Sequence, residues 1–215
     1  MENIFTMGSN KMTPYAPTIN SSNDIYLNNC SECGRTRYND DNKDLSLVIE
    51  GKRKLPDYLL CGHYPLTIVS KKVIEIWRKY SVTGYTAFPI KKLVDKKGTV
   101  VHSDFQYFNV SVTGSIELDF KRMGVSIVNQ CSICGCFDFN KNTWEFGTAF
   151  LKQGTHDGSD LFYPKYSGGL CCTRKMLEIV YKEKLTNFKF NTFESMFIFI
   201  NSPPAIDLKE FFRNI

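Results

Sequence analysis

Cys131-Ser132-Ile133-Cys134-Gly135 repeats a five-residue unit that stands 101 positions earlier, as Cys30-Ser31-Glu32-Cys33-Gly34. Two residues between the cysteines allow both sulfur atoms to face one metal ion, and the glycine supplies a backbone that reaches positive φ. Each C-x-x-C-G unit, here called a knuckle, therefore offers half of a tetrahedral four-cysteine zinc site. The rest of the chain is interpreted around these two knuckles.

A second internal similarity lies downstream of the knuckles. When residues 57–90 are shifted by 103 positions, they fall on residues 160–193 without a gap and give six identities in 34 positions. The identical residues are Asp57, Lys72, Glu75, Ile76, Lys79 and Thr83, which fall on Asp160, Lys175, Glu178, Ile179, Lys182 and Thr186. Together with the two knuckles, this agreement predicts an internal duplication.

Helix signals also recur at this spacing. Ser70 is placed to cap a helix and Gly84 to end it in the left-handed region, and their counterparts are Thr173 and Asn187. Apolar residues at helical spacing lie between these signals. They are Val73, Ile74, Trp77 and Tyr80 in the first segment, and Met176, Leu177 and Val180 in the second.

These patterns predict an α+β fold that is internally duplicated. Each unit contains a knuckle, short antiparallel strands and one capped helix around a four-cysteine zinc site. We expect an irregular lead-in over residues 1–29 with one short strand at Ile4-Phe5, a first unit over 30–103, and an antiparallel meander plus a second unit over 104–215. All three belong to a single compact domain. Further strands are predicted at 45–49, 85–89, 99–101, 107–113, 116–120 and 188–190, and a terminal helix at 206–213.

Composition narrows the class of protein. With 42% apolar and 14% aromatic residues, the chain has enough apolar side chains for a full core. Its first residues lack the pattern of a secretory signal, and no apolar run approaches the ~18 residues of a membrane span. We therefore expect reduced thiols, a cytoplasmic location and no membrane partner.

Charge is distributed unevenly along the chain. The net charge of +5 comes from residues 1–103, with 15 basic and 10 acidic residues, because residues 104–215 carry 12 of each. Such an excess suits nucleic acid or an acidic partner, but solvated lysines explain it as well.

The predicted zinc ligands are Cys30, Cys33, Cys131 and Cys134. A site closed by four thiolates leaves no position for water or substrate, so the metal is expected to be structural. Cys136, one residue after the second knuckle, is either a substitute ligand or a small buried side chain.

Other candidate groups have weaker support. Cys61 and His63 could bind metal or act as nucleophile and base, but their counterparts, Pro164 and Tyr166, offer no such chemistry. Cys171-Cys172 replaces Ile68-Val69 at the matching positions, which favours packing as hydrophobes. The segment from His156 to Asp160 is interpreted as an exposed turn.

The order of these motifs resembles the double-CXXCG motif family of bacterial proteins over residues 25–193. The resemblance is carried by the two knuckles and the segments Pro56-Asp57-Tyr58-Leu59, Val69-Ser70-Lys71-Lys72-Val73, Val82-Thr83-Gly84-Tyr85, Asn109-Val110-Ser111-Val112-Thr113-Gly114 and Gly158-Ser159-Asp160-Leu161-Phe162. It implies a non-enzymatic immunity protein that binds and neutralises a cognate toxin of a polymorphic toxin system.

Two other function classes are weighed beside this one. The first is a zinc-ribbon-like protein that binds nucleic acid through the basic first half, with Arg35, Arg37 and Tyr38 as contacts. The second is a thiol-dependent enzyme that uses Cys61 and His63, for which the repeated pattern gives no support.

Overall fold

Strands form most of the regular structure. The computed structural model describes residues 4–10, 15–17, 28–37, 46–49, 55–60, 66–95, 97–102, 106–139, 150–165, 169–193 and 205–213. The fold is mixed α+β, as the sequence predicted, with many short strands and few helices. In this part of the chain, no helix is long and apolar enough to cross a membrane.

The described helices begin where the sequence predicted, to within two residues. They are α1 (Lys71–Lys79), α2 (Arg174–Lys182) and α3 (Leu208–Arg213). The Ser70 hydroxyl accepts a hydrogen bond from the Val73 N–H at 3.4 Å, so the predicted cap of α1 is confirmed. Thr173 makes no such bond, and its hydroxyl instead donates to Asp160 Oδ1 at 3.1 Å.

The predicted ends of α1 and α2 are wrong by a few residues. The left-handed residues that follow the helices are Ser81 and Lys184, with φ of 49° and 51°. Gly84 and Asn187 also have positive φ, but they lie three residues further on, at the entry to a strand. Gly84 is required there by space, since a Cβ atom would come within 2.1 Å of the Leu161 carbonyl oxygen.

Three of the described sheets have four or five strands. The strands are β1 (Ile4–Ser9), β2 (Tyr15–Pro17), β3 (Asn28–Asn29), β4 (Thr36–Arg37), β5 (Ser46–Ile49), β6 (Tyr58–Leu60), β7 (Thr67–Ser70), β8 (Tyr85–Pro89), β9 (Lys92–Asp95), β10 (Val100–His102), β11 (Tyr107–Val112), β12 (Gly114–Ile116), β13 (Ile127–Val128), β14 (Asp138–Phe139), β15 (Leu161–Pro164), β16 (Cys171–Thr173) and β17 (Phe188–Thr192). Their orders are β6-β7-β11-β8, β12-β15-β16-β1-β17 and β10-β9-β5-β2. Two short hairpins, β3-β4 and β13-β14, complete the described strands.

The first and second of these sheets exchange a strand. β11 follows the first knuckle's unit in sequence but inserts between β7 and β8, and β1 inserts between β16 and β17. The two inserted strands also have matching registers, because Tyr107 of β11 pairs with Ser70 and Ile4 of β1 pairs with Thr173. Tyr107 lies 103 positions after Ile4, and Thr173 lies 103 positions after Ser70. Each half of the chain thus supplies an inner strand to the sheet of the other half.

Two expectations for the strands need correction. The meander predicted around residues 99–113 does not form, because β10 pairs with β9 in one sheet and β11 lies in another. The strand predicted at 116–120 is replaced by β12, which runs parallel to β15 and ends at Ile116. The strand predicted at Ile4-Phe5 is confirmed and extends to Ser9, but the lead-in over residues 1–29 is less irregular than expected, because it also contains β2 and β3.

One main core lies between the helices and both exchanging sheets. It contains fully buried side chains from α1 and α2, including Trp77 and Met176, and from the sheets, including Val69 and Leu161. Phe5 and Met7 of β1 join it with 3% and 5% exposure. A second cluster, centred on Leu47 and Ile68, lies under the β10-β9-β5-β2 sheet.

Two aspartates, one in each half of the chain, accept hydrogen bonds from the other half. Asp160 Oδ2 accepts hydrogen bonds from the Thr83 N–H at 3.0 Å and the Thr83 hydroxyl at 3.3 Å. Asp57 Oδ2 accepts the same pair from Thr186, both at 2.9 Å. Lys175 adds an ion pair to Asp160 at 2.8 Å. A carboxylate in each half therefore holds the turn after the helix of the other half.

Asp160→Ala is expected to lower the free energy of unfolding by about 2 to 4 kcal/mol, because it leaves partly buried donors without an acceptor. Urea unfolding followed by circular dichroism measures this loss. The control is Glu75→Ala, which removes an exposed carboxylate 3.9 Å from Lys71 and should cost less than about 0.5 kcal/mol. Equal losses in the two variants would contradict the tying role.

Candidate metal centre

Each knuckle is a tight turn closed by a short hairpin. In the first knuckle the Gly34 N–H donates to the Cys30 carbonyl at 2.8 Å, and in the second the Gly135 N–H donates to the Cys131 carbonyl at 2.9 Å. Both glycines have a φ of 68°, a left-handed value that glycine adopts without strain. The β3-β4 and β13-β14 hairpins hold the two turns, so the local sequence fixes the direction of each sulfur pair.

The two knuckles meet, and their four sulfur atoms form one cluster. The Sγ atoms of Cys30, Cys33, Cys131 and Cys134 all lie within 4.8 Å of one another. Cys30 and Cys131 are separated by 3.7 Å, and Cys33 and Cys134 by 3.5 Å. A tetrahedral ion with metal–sulfur bonds of about 2.3 Å separates its ligand sulfurs by about 3.8 Å. The donor set and its spacing therefore fit one four-coordinate metal ion.

Polar contacts lock the first knuckle against the second. The Glu32 carboxylate accepts from the Ser132 hydroxyl at 3.0 Å and from the Ile133 N–H at 3.2 Å. Arg35 donates to the Phe137 carbonyl at 2.9 Å and forms an ion pair with Asp138 at 2.6 Å. Protein contacts between the two knuckles thus hold the four cysteines close together.

The thiols differ in acidity. The backbone N–H groups of Cys33 and Glu32, with smaller contributions from neighbouring thiols, lower the pKa of Cys30 to about 6. The pKa of Cys131 is raised, because its thiol donates a hydrogen bond to the Glu32 carboxylate at 2.9 Å. Metal binding would displace the proton of this bond, since only thiolates coordinate. Glu32 would keep its two other donors, Ser132 and Ile133.

Cys136 has a backbone role beside the cluster. Its carbonyl accepts from the Cys131 N–H at 2.7 Å, and its own N–H donates to Cys134 Sγ at 3.4 Å. Its half-buried side chain packs against the other cysteines but does not belong to the group of four. Of the two roles left open by the sequence, the geometry favours the small packed side chain.

The other candidate residues are not gathered at this site. Cys61 and His63 lie outside the described residues. Cys171 and Cys172 are fully buried in β16, as predicted, and burial raises the pKa of both thiols. The segment from His156 to Asp160 is irregular but not fully exposed as expected, because His156 is partly buried, with Nε2 at 3.0 Å from the Ser159 carbonyl oxygen, and Asp160 is buried.

A comparison of the chain with models of protein families gives no match, and a comparison with curated proteins gives none. The centre must therefore be judged on its own geometry.

The sequence patterns did not predict the contacts of Glu32, and Arg35 was considered only as a contact in the nucleic-acid alternative. A signal was present, because the positions 101 residues after Glu32 and Arg35 are Ile133 and Cys136, which carry no charged side chain. Charged residues in only one of two similar knuckles are suited to bridging the pair. We conclude that Glu32 and Arg35 set the mutual orientation of the knuckles.

Proposed function

We propose that this chain is an immunity-type protein that binds and neutralises a cognate bacterial toxin, and that it does so without enzymatic activity. The observation that carries the proposal is the meeting of the two C-x-x-C-G knuckles, whose four sulfurs lie within 4.8 Å. This juxtaposition supports the resemblance to the double-CXXCG motif family, because that resemblance depends on two knuckles acting together.

The metal in this proposal is a structural zinc ion held by Cys30, Cys33, Cys131 and Cys134. Four thiolates suit zinc, and they close the coordination sphere, so the ion would hold the fold without binding a substrate. Inhibition by binding requires a preorganised surface, because ordering a flexible one costs affinity. A metal that clamps two parts of the chain meets this requirement.

We also infer that the two halves are copies of one duplicated unit of about 100 residues. The inference rests on matched pairs at a spacing of 103 positions, among them β1 with β11 and the aspartates Asp57 and Asp160. When two copies of a unit exchange strands, a site to which each copy contributes half of the residues lies at the interface between the copies. The knuckles have this arrangement, with a spacing of 101 positions.

The test is neutralisation of a toxin encoded directly upstream of this chain. Co-expression is expected to restore growth of cells that produce the toxin, and the purified pair should form a complex of defined stoichiometry in which toxin activity is lost. A variant of the toxin that lacks activity serves as the binding control. Full toxin activity in the presence of excess purified protein would refute the proposal.

The nucleic-acid hypothesis has less support. Arg35, one of its three expected contacts, is engaged by Asp138 and the Phe137 carbonyl. Tight binding to generic DNA or RNA that weakens steeply with salt would nevertheless favour this second hypothesis. A salt titration thus separates the two functions.

A further inference from the structure

A basic groove is lined mainly by residues of the second half of the chain and by none of the four clustered cysteines. It has a volume of about 980 Å³ and runs between the end of α2, the edge strand β17 and the segment that leads into α3. Its size is at the upper end of the range for ligand pockets, about 300–1,000 Å³. The groove is therefore large enough to receive several side chains of a partner.

The groove combines positive charge with apolar walls. Among the residues that the structure describes, four lysines line it, namely Lys182, Lys184, Lys189 and Lys209, against a single carboxylate, that of Asp207. Asp207 is already used, because its Oδ1 accepts from the Lys209 N–H at 2.8 Å. Apolar lining comes from Val180, Leu185, Phe188, Ile206 and Leu208. A ligand that fits this lining has negative charges around an apolar centre.

This positive charge is not a general property of the fold. At the positions 103 residues earlier, Lys184 and Lys189 are replaced by the neutral Ser81 and Thr86. The third counterpart, Lys79, is paired with Glu183 at 3.1 Å. Lys184 and Lys189 therefore give the groove positive charge that the matching positions of the first half do not carry.

We propose that this groove binds an acidic segment of a partner protein, with one or two apolar side chains of that segment inserted between the lysines. Carboxylates complement the lysines, and the apolar walls complement leucine or phenylalanine. A peptide is favoured over nucleic acid, because the described lining of the groove has no arginine and has apolar side chains among its lysines, whereas a nucleic-acid strand needs a charged track that continues along its backbone. The inference stands apart from the proposed function, since peptide binding can be measured whether or not the partner is a toxin.

The experiment is selection of a random dodecapeptide library, displayed on phage, against the immobilised full-length protein. We expect enrichment of peptides in which aspartate and glutamate flank leucine or phenylalanine. Fluorescence anisotropy of an enriched peptide should show a loss of about tenfold in affinity for the Lys184→Ser, Lys189→Thr double variant, as expected when two exposed charge pairs are removed. The substituted residues are those of the first half, so the fold should tolerate them.

The control removes two exposed lysines outside the groove. Lys92→Thr with Lys97→Ser should change the affinity by less than about twofold, because it alters the net charge equally but leaves the groove intact. Peptides without acidic enrichment, or equal affinity for parent and groove variant, would overturn the proposal. A single-stranded oligonucleotide that binds more tightly than every enriched peptide, with the same sensitivity to the groove variant, would overturn it in favour of nucleic acid.

Discussion

The Cys131→Ser, Cys134→Ser double variant is expected to lack the zinc ion proposed for the parent protein and to melt at least about 10 °C below it. Serine keeps the size of the side chain but binds zinc far more weakly than a thiolate. The melting temperature falls because the free energy of binding a structural metal contributes directly to the stability of the fold. Elemental analysis should give one zinc per parent chain and none per variant, and thermal unfolding measures the shift.

Two further variants make this prediction specific. Cys136→Ser, a change of the same chemistry outside the group of four, should keep its zinc and melt within a few degrees of the parent. Cys30→Ser with Cys33→Ser should match the double variant of the second knuckle, and combining all four changes should add little, because either pair alone already destroys the site. A parent protein that contains no zinc and is unaffected by the double substitution would exclude a structural metal.

The knuckles were predictable because their geometry is local. C-x-x-C-G specifies a turn, its positive-φ glycine and the direction of two sulfur atoms within five residues. What brings one knuckle to the other is not local: Glu32 reaches Ser132, 100 positions away, and Arg35 reaches Asp138. Such pairings follow from the packing of the whole chain, so the sequence predicted the cluster of four cysteines but not its bridging contacts.

The strand exchange also depends on pairings between distant parts of the chain, which local sequence patterns do not predict. A lead-in rich in polar residues and proline gave no local reason to place β1 inside a sheet, and its partners β16 and β17 are more than 160 positions away. A hint was available, because the shift of 103 positions also places Phe5 on Phe108. This is one identity among the six residues of β1, too few for the sequence alone to match the lead-in with β11.

Phe5→Ala is the second change for which we expect a large effect, a loss of about 3 to 5 kcal/mol in the free energy of unfolding. Phe5 is only 3% exposed and its ring meets that of Phe211 edge-on at 5.9 Å, so the substitution opens a cavity in the main core. Because β1 is inserted between two strands, the cavity also weakens the contact of this strand with both neighbours. Urea unfolding followed by circular dichroism measures the loss.

Phe108, the counterpart of Phe5 in β11, provides the matched control. It is only partly buried against the same core, so Phe108→Ala should cost about 1 to 2 kcal/mol. Each substitution lies in a strand that one half of the chain contributes to the sheet of the other. Both variants should therefore shift a single cooperative transition, since neither sheet is complete without both halves. If Phe5→Ala instead produced two transitions, with the first sheet unfolding at the urea concentration of the parent, the two sheets would be independent and the strand exchange would not couple them.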